Sequence, residues 1–143
     1  MEGNCFFTIT DFPRDIYTAV GEIIRNSQEW EAEFKEFVGM QHVLDGKIEK
    51  SSLNKLNEAL KKNGKISDKE YENLRQVITY RNYINHTFFL EENFHRPLRD
   101  VEKELNYIQD MIFEARDMIG NKTDEARGIP FSRRPTVFDE EDK

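Results

Sequence analysis

The sequence predicts an all-α protein built as an up-and-down antiparallel four-helix bundle, with a short N-terminal arm and a C-terminal tail. Three observations carry this. Apolar residues recur at spacings of three and four along most of the chain, start and stop signals divide that pattern into four segments with short connections, and no stretch alternates with period two for long enough to form a sheet. At 143 residues, with 37% hydrophobic and 34% charged side chains, the chain suits one domain whose helices each keep one face wet.

Residues 1–12 hold Phe6, Phe7 and Ile9, too few apolar positions for a helix, and are expected to form an arm. Asp11 is placed as an N-cap and Pro13 near the first turn of a helix running to about residue 41. Its inward face reads Ile16, Val20, Ile23, Ser27, Trp30, Phe34 and Phe37, and Gly21 inside it suggests close packing or a kink. Asp45-Gly46 breaks the chain. Ser51 or Ser52 then caps a shorter helix with Leu53, Leu56 and Leu60 inward, ended by Asn63-Gly64 in the manner of a left-handed cap.

Ser67 followed three residues later by Glu70 is a capping box. It opens a third helix, expected over residues 68 to 91, with Tyr71, Leu74, Ile78, Phe88 and Phe89 facing the core. Pro97 starts a fourth, whose Leu98, Val101, Leu105, Ile108, Ile112, Ala115 and Ile119 give the clearest periodicity in the sequence. Gly120-Asn121 is read as its end. The bundle therefore spans residues 13–120, and residues 121–143, mixed in charge and without a period, read as a flexible tail.

Composition narrows the function classes. No run approaches the length of a membrane-spanning helix, and Met1-Glu2-Gly3-Asn4 lacks the basic start of a signal peptide. The single cysteine, Cys5, fits a reducing cytoplasm. A net charge of −7 opposes nucleic-acid binding through the overall field. Locally the balance reverses, because residues 47–69 hold seven lysines against three acids, a net +4. Within that segment Lys61, Lys62 and Lys65 are candidates for phosphate contact, and they equally fit a solvated helix and turn.

One stretch of the third helix stands out. On a wheel of 100° per residue, Arg81 lies in the middle of the apolar stripe, with Leu74 at about 20°, Val77 at about −40° and Ile84 at about −60°. A cation on a core-facing stripe needs a partner, since an unpaired buried charge is very costly. Asn82, at about 100°, and His86, at about 140°, border the stripe with Asn85 at about 40°.

Competing chemistries lack their signatures. His42, His86 and His95 sit on separate elements without paired ligands, and there is no glycine-rich phosphate loop and no nucleophilic-serine motif. Arg81, Asn82 and His86 suit cleavage of RNA without metal or cofactor. Arginine offers a fixed fork to phosphate oxygens, histidine exchanges a proton near neutral pH, and asparagine orients the imidazole or hydrogen-bonds a phosphate oxygen. One histidine cannot readily be both base and acid, so a two-fold homodimer is expected to supply the second. Tyr83 and Asn85, beside the motif, are candidate RNA contacts through stacking and hydrogen bonding.

Arg81-Asn82-Tyr83-Ile84-Asn85-His86 resembles the Arg-x4-6-His motif of HEPN domains, with a polar residue after the arginine. The resemblance implies an all-helical bundle over residues 13 to 120, dimerisation around a cleft, and metal-independent endoribonuclease activity in toxins, phage defence or RNA processing, under an antitoxin or other regulatory protein. A toxin branch controlled by nucleotidyltransferase-like antitoxins carries a tyrosine two residues after the histidine. Phe88 stands there in this chain and has no hydroxyl to modify. A different reading makes Arg81 a structural ion-pair partner and the chain a non-catalytic helical module that binds a protein or RNA.

Overall fold

The computed structural model describes residues 14–90 and 95–128. The expected N-terminal arm, with Asp11, Pro13 and Cys5, lies outside them, as do residues 129–143. Among the described residues there are four α-helices: α1 (Arg14–Gln41), α2 (Leu53–Lys62), α3 (Asp68–His86) and α4 (Leu98–Arg127), with one 3-10 turn at Ile48–Lys50. No strand occurs among them. The all-α architecture expected from the apolar spacing is present, and no helix of the described residues is long and apolar enough to cross a membrane.

The core follows the predicted stripes. Ile16, Val20, Ile23, Trp30, Phe34 and Phe37 from α1 meet Val101, Leu105, Ile108, Ile112, Ala115 and Ile119 from α4, all nearly inaccessible to solvent. Leu56 and Leu60 of α2 and Leu74, Val77 and Ile78 of α3 close the other side. Trp30 and Phe34 stack at 5.1 Å between centroids. Each such side chain removed from water contributes about 1.5–3 kcal/mol, which offsets the entropy of ordering the chain.

Local signals fix the helix ends. Ser67 and Glu70 make both bonds of the capping box, with the Glu70 N–H donating to Ser67 Oγ at 3.0 Å and the Ser67 N–H to Glu70 Oε1 at 2.8 Å. Ser52, rather than Ser51, caps α2 by accepting from the Lys55 N–H. Gly64 follows that helix at φ +70°, the left-handed conformation its type favours.

The pairing of helices has one turn that the periodicity does not contain. Asn57 on α2 donates to the Tyr71 carbonyl on α3 at 3.0 Å, and Tyr83 on α3 donates to Glu104 on α4 at 2.9 Å, while Lys122 reaches Glu70 at 3.2 Å. These contacts make α2–α3 and α3–α4 antiparallel neighbours. Between α1 and α4 the ion pairs instead climb together, Glu29 with Arg116 and Glu36 with Arg127, so these two long helices run in the same sense. Residues 42–52 double back after α1, which restores α2 to the same direction before the hairpins begin.

Three further differences concern boundaries and faces. Helix α4 does not end at Gly120-Asn121. It continues to Arg127, burying Gly120, Asn121 and Thr123, and stops at Gly128 with φ +77°. Glycine is permitted in a helix when neighbouring elements cover it, so tertiary packing outweighed its weak propensity. Helix α3 ends at His86 instead of running to 91, leaving Phe88 buried but Phe89 exposed, and Leu98 is also exposed at the start of α4. Finally, Gly21 has open space where a Cβ would stand, so close packing is not its reason.

Candidate functional site

Arg81 is partnered. Its guanidinium donates to Glu31 Oε1 at 2.8 Å, joining α3 to α1, and to its neighbour Asn82 Oδ1 at 2.9 Å. Glu31 in turn accepts from Lys35 Nζ at 2.9 Å through its other oxygen, an i, i+4 contact on α1. Two cations thus flank one carboxylate. Burial pushes the Glu31 carboxyl up, but the Lys35 hydrogen bond and the Arg81 and Lys35 charges outweigh that and hold it below the ordinary carboxylate value.

The group is not sealed. The Arg81 side chain keeps 24% of its surface exposed and Glu31 19%. Arg81 and Asn82 line an open cavity of about 270 Å³ with Glu31, Lys35, Ile78 and the segment Ser51, Ser52, Leu53 and Asn54 that leads into α2. A second cavity of about 480 Å³ adjoins it at Ser51 and runs along α2 past Lys55, Glu58 and Lys62 to Asn63. The two cavities have only Ser51 in common, and the second is lined by two acids, Asp45 and Glu58, beside its two lysines.

The sequence-predicted residues fall into three groups. Arg81 and Asn82 share a cavity. His86 is exposed, closes α3, and does not line that cavity. Five residues of helix separate it from Arg81 by about 140° and ~7.5 Å of rise, so the two side chains leave α3 in divergent directions. Asn82, one turn before His86, stands between them. Tyr83 is committed to α4, its hydroxyl donating to Glu104, which also accepts from Arg96 at 2.8 Å. Asn85 is half-buried on the same turn.

The lysines lie at the other end of α3. Lys61 sits over the Tyr71 ring at 4.4 Å and 3.9 Å from Asp68, about 20 Å of helix from Arg81. Lys62 lines the second cavity, and Lys65 is exposed in the turn before α3. None of the three lines the cavity that holds Arg81. Phe88, where the toxin branch has tyrosine, is fully buried against Tyr83 and Phe89.

Glu31, Lys35 and Asn54 were not singled out by the sequence, and Ser51 and Ser52 only as candidate caps of α2. Glu31 did carry a signal, since it lies at the border of the α1 stripe, seven residues before buried Val38, with a lysine at i+4. Among the described residues no group of three His, Cys, Asp or Glu side chains is placed to hold a metal ion. No protein-family model, curated protein or solved structure matches the chain.

Proposed function

We propose that this chain is a metal-independent endoribonuclease of the HEPN type that works as a homodimer, with Arg81, Asn82 and His86 as its reacting groups. The observation that carries the reading is the placement of Arg81 and Asn82, side by side on the wall of an open polar cavity that Lys35 also lines. A guanidinium in that position can grip a phosphate and meet the charge that builds on it.

In the proposed reaction, His86 takes the proton of a ribose 2′-hydroxyl, and the 2′-oxygen attacks the adjacent phosphorus. The bond to the 5′-oxygen breaks, leaving a 2′,3′-cyclic phosphate on one fragment. Arg81 offsets the charge of the phosphorane, and the departing 5′-oxygen receives a proton from His86 of the partner subunit. A two-fold arrangement supplies the second histidine, since one imidazole cannot readily be both base and acid. Growth inhibition as a toxin or phage-defence component, held in check by an antitoxin, is the setting that the resemblance implies.

The test is cleavage of single-stranded RNA in EDTA by wild type, Arg81→Ala and His86→Ala, with a substrate bearing 2′-deoxyribose at the cut site. Cleavage by wild type alone, and none of the deoxy substrate, is expected. Absence of cutting by the wild-type dimer, or equal cutting by His86→Ala, overturns the reading. The Glu31 contact favours a second one, in which Arg81 serves as the tie between α1 and α3 in a non-catalytic module that binds a protein or RNA.

A further inference from the structure

We infer that the cavity between α1, α3 and the start of α2 is a phosphate subsite, in which Lys35 and Arg81 hold a backbone phosphate of a bound RNA strand and Glu31 is the counter-ion that phosphate displaces. The inference deepens the proposed function and rests on its reading of Arg81 as a phosphate-gripping group.

Charge and shape argue for it together. Lys35 Nζ and the Arg81 guanidinium both contact Glu31, so two positive charges meet one negative charge and a single positive charge is left over at the cavity wall. The remaining lining is rich in neutral hydrogen-bonding groups, the Ser51 and Ser52 hydroxyls and the Asn54 and Asn82 amides. Leu53 and Asn54 open α2, and the first backbone N–H groups of a helix have no intrahelical acceptor. A volume of about 270 Å³ accommodates a phosphate group with part of its sugar.

Displacement is the economical route for entry. A phosphate that took up Lys35 and Arg81 would leave the Glu31 carboxylate to rotate toward water, which its partial exposure permits. The carboxylate then opposes binding by like-charge repulsion while satisfying Arg81 in the empty site. Substitution at the two positions must therefore have opposite effects, a pattern that loss of folding does not produce.

The probe is a fluorescein-labelled single-stranded RNA with 2′-O-methyl groups throughout, which lacks the attacking hydroxyl. Its affinity is measured by anisotropy across a salt series for wild type, Lys35→Gln, Glu31→Gln and, as a charge control, Lys103→Gln on the exposed face of α4. Lys35→Gln is expected to weaken binding about five-fold and to lower the salt slope by about 0.7, the contribution of one phosphate contact on a single strand. Glu31→Gln is expected to tighten binding about three-fold, and Lys103→Gln to change it less than two-fold.

Competition with inorganic phosphate and with a 5′-phosphorylated nucleotide separates a backbone phosphate from a terminal one. Displacement of the probe by the terminal monoester at far lower concentration than by unphosphorylated RNA of equal length overturns the assignment to the backbone. Equal effects of Lys35→Gln and Lys103→Gln, or weaker binding by Glu31→Gln, overturn the subsite itself. Wild-type cleavage that Lys35→Gln leaves intact sinks the subsite alone, whereas opposed binding effects without any cleavage sink the ribonuclease reading alone.

Discussion

The Arg81 guanidinium and the Glu31 carboxylate meet at 2.8 Å across fifty residues of chain, and this contact answers how an arginine sits within an apolar stripe. Its outer end is satisfied by an acid from α1, and a long aliphatic stem is the part of an arginine that an apolar stripe can cover. Truncation should separate structural from chemical roles. Arg81→Ala is expected to lower stability by only about 1 kcal/mol, because Glu31 keeps Lys35 and both ends of the pair are partly exposed. Cleavage should fall by about 10²–10³-fold if Arg81 meets transition-state charge. A melting curve beside single-turnover kinetics reads both, and parallel losses would assign Arg81 to structure.

The same pair sets a pH dependence. Glu31 is held below its ordinary value of 4.5 in the folded chain. The unfolded state therefore binds its proton first as pH falls, and the associated stability is present above about pH 4.5 and disappears as pH drops through the lower folded value. Its size, discounted for solvent screening, is about 0.5–1 kcal/mol. Wild type should melt above Glu31→Gln at pH 6 to 7, and the gap should close toward pH 3. A gap that persists at pH 3 would deny the charge on Glu31 this role.

At Gly21 the expected effect is a gain. The residue lies in α1, is exposed, and has nothing within 4 Å of an added Cβ. Gly21→Ala should raise stability by about 0.5–1 kcal/mol, through helix propensity and a less free unfolded chain. Chemical denaturation with an unchanged m-value would confirm the gain as one of stability.

Loss of the capping box should show the reverse. Ser67→Ala removes the acceptor for the Glu70 N–H and leaves the first turn of α3 short of one partner. About 1 kcal/mol of destabilisation is expected, read by thermal melting, with RNA cleavage unaffected because Ser67 lies about 20 Å of helix from Arg81.

Ending the chain after Gly120 tests the extension of α4. Such a truncation removes buried Asn121 and Thr123 and the Lys122 contact with Glu70 on α3. A loss of about 2 kcal/mol or more is expected, whereas ending it after Gly128 keeps all three. Equal melting temperatures for the two truncations would contradict a structural role for residues 121–127.

Much of this protein was legible because helices report themselves locally. Three-and-four spacing depends only on which side of a helix is dry, so Ile16 to Phe37 and Val101 to Ile119 could be placed in the core from the chain alone, as could the Ser67–Glu70 box and the turn at Asn63-Gly64. Arg81, by breaking that spacing, announced that something across the core must answer its charge.

What answers it was decided only by tertiary structure. Glu22, Glu29, Glu31, Glu33 and Glu36 all lie on α1, and which of them reaches Arg81 depends on the crossing of α1 and α3, a relation between residues fifty apart. The shared direction of α1 and α4, and the helical life of residues 121–127, are likewise products of packing. Burial against other helices overrides the weak local preferences of a Gly-Asn pair. The sequence named the arginine, and the fold chose its partner and left the space beside it open.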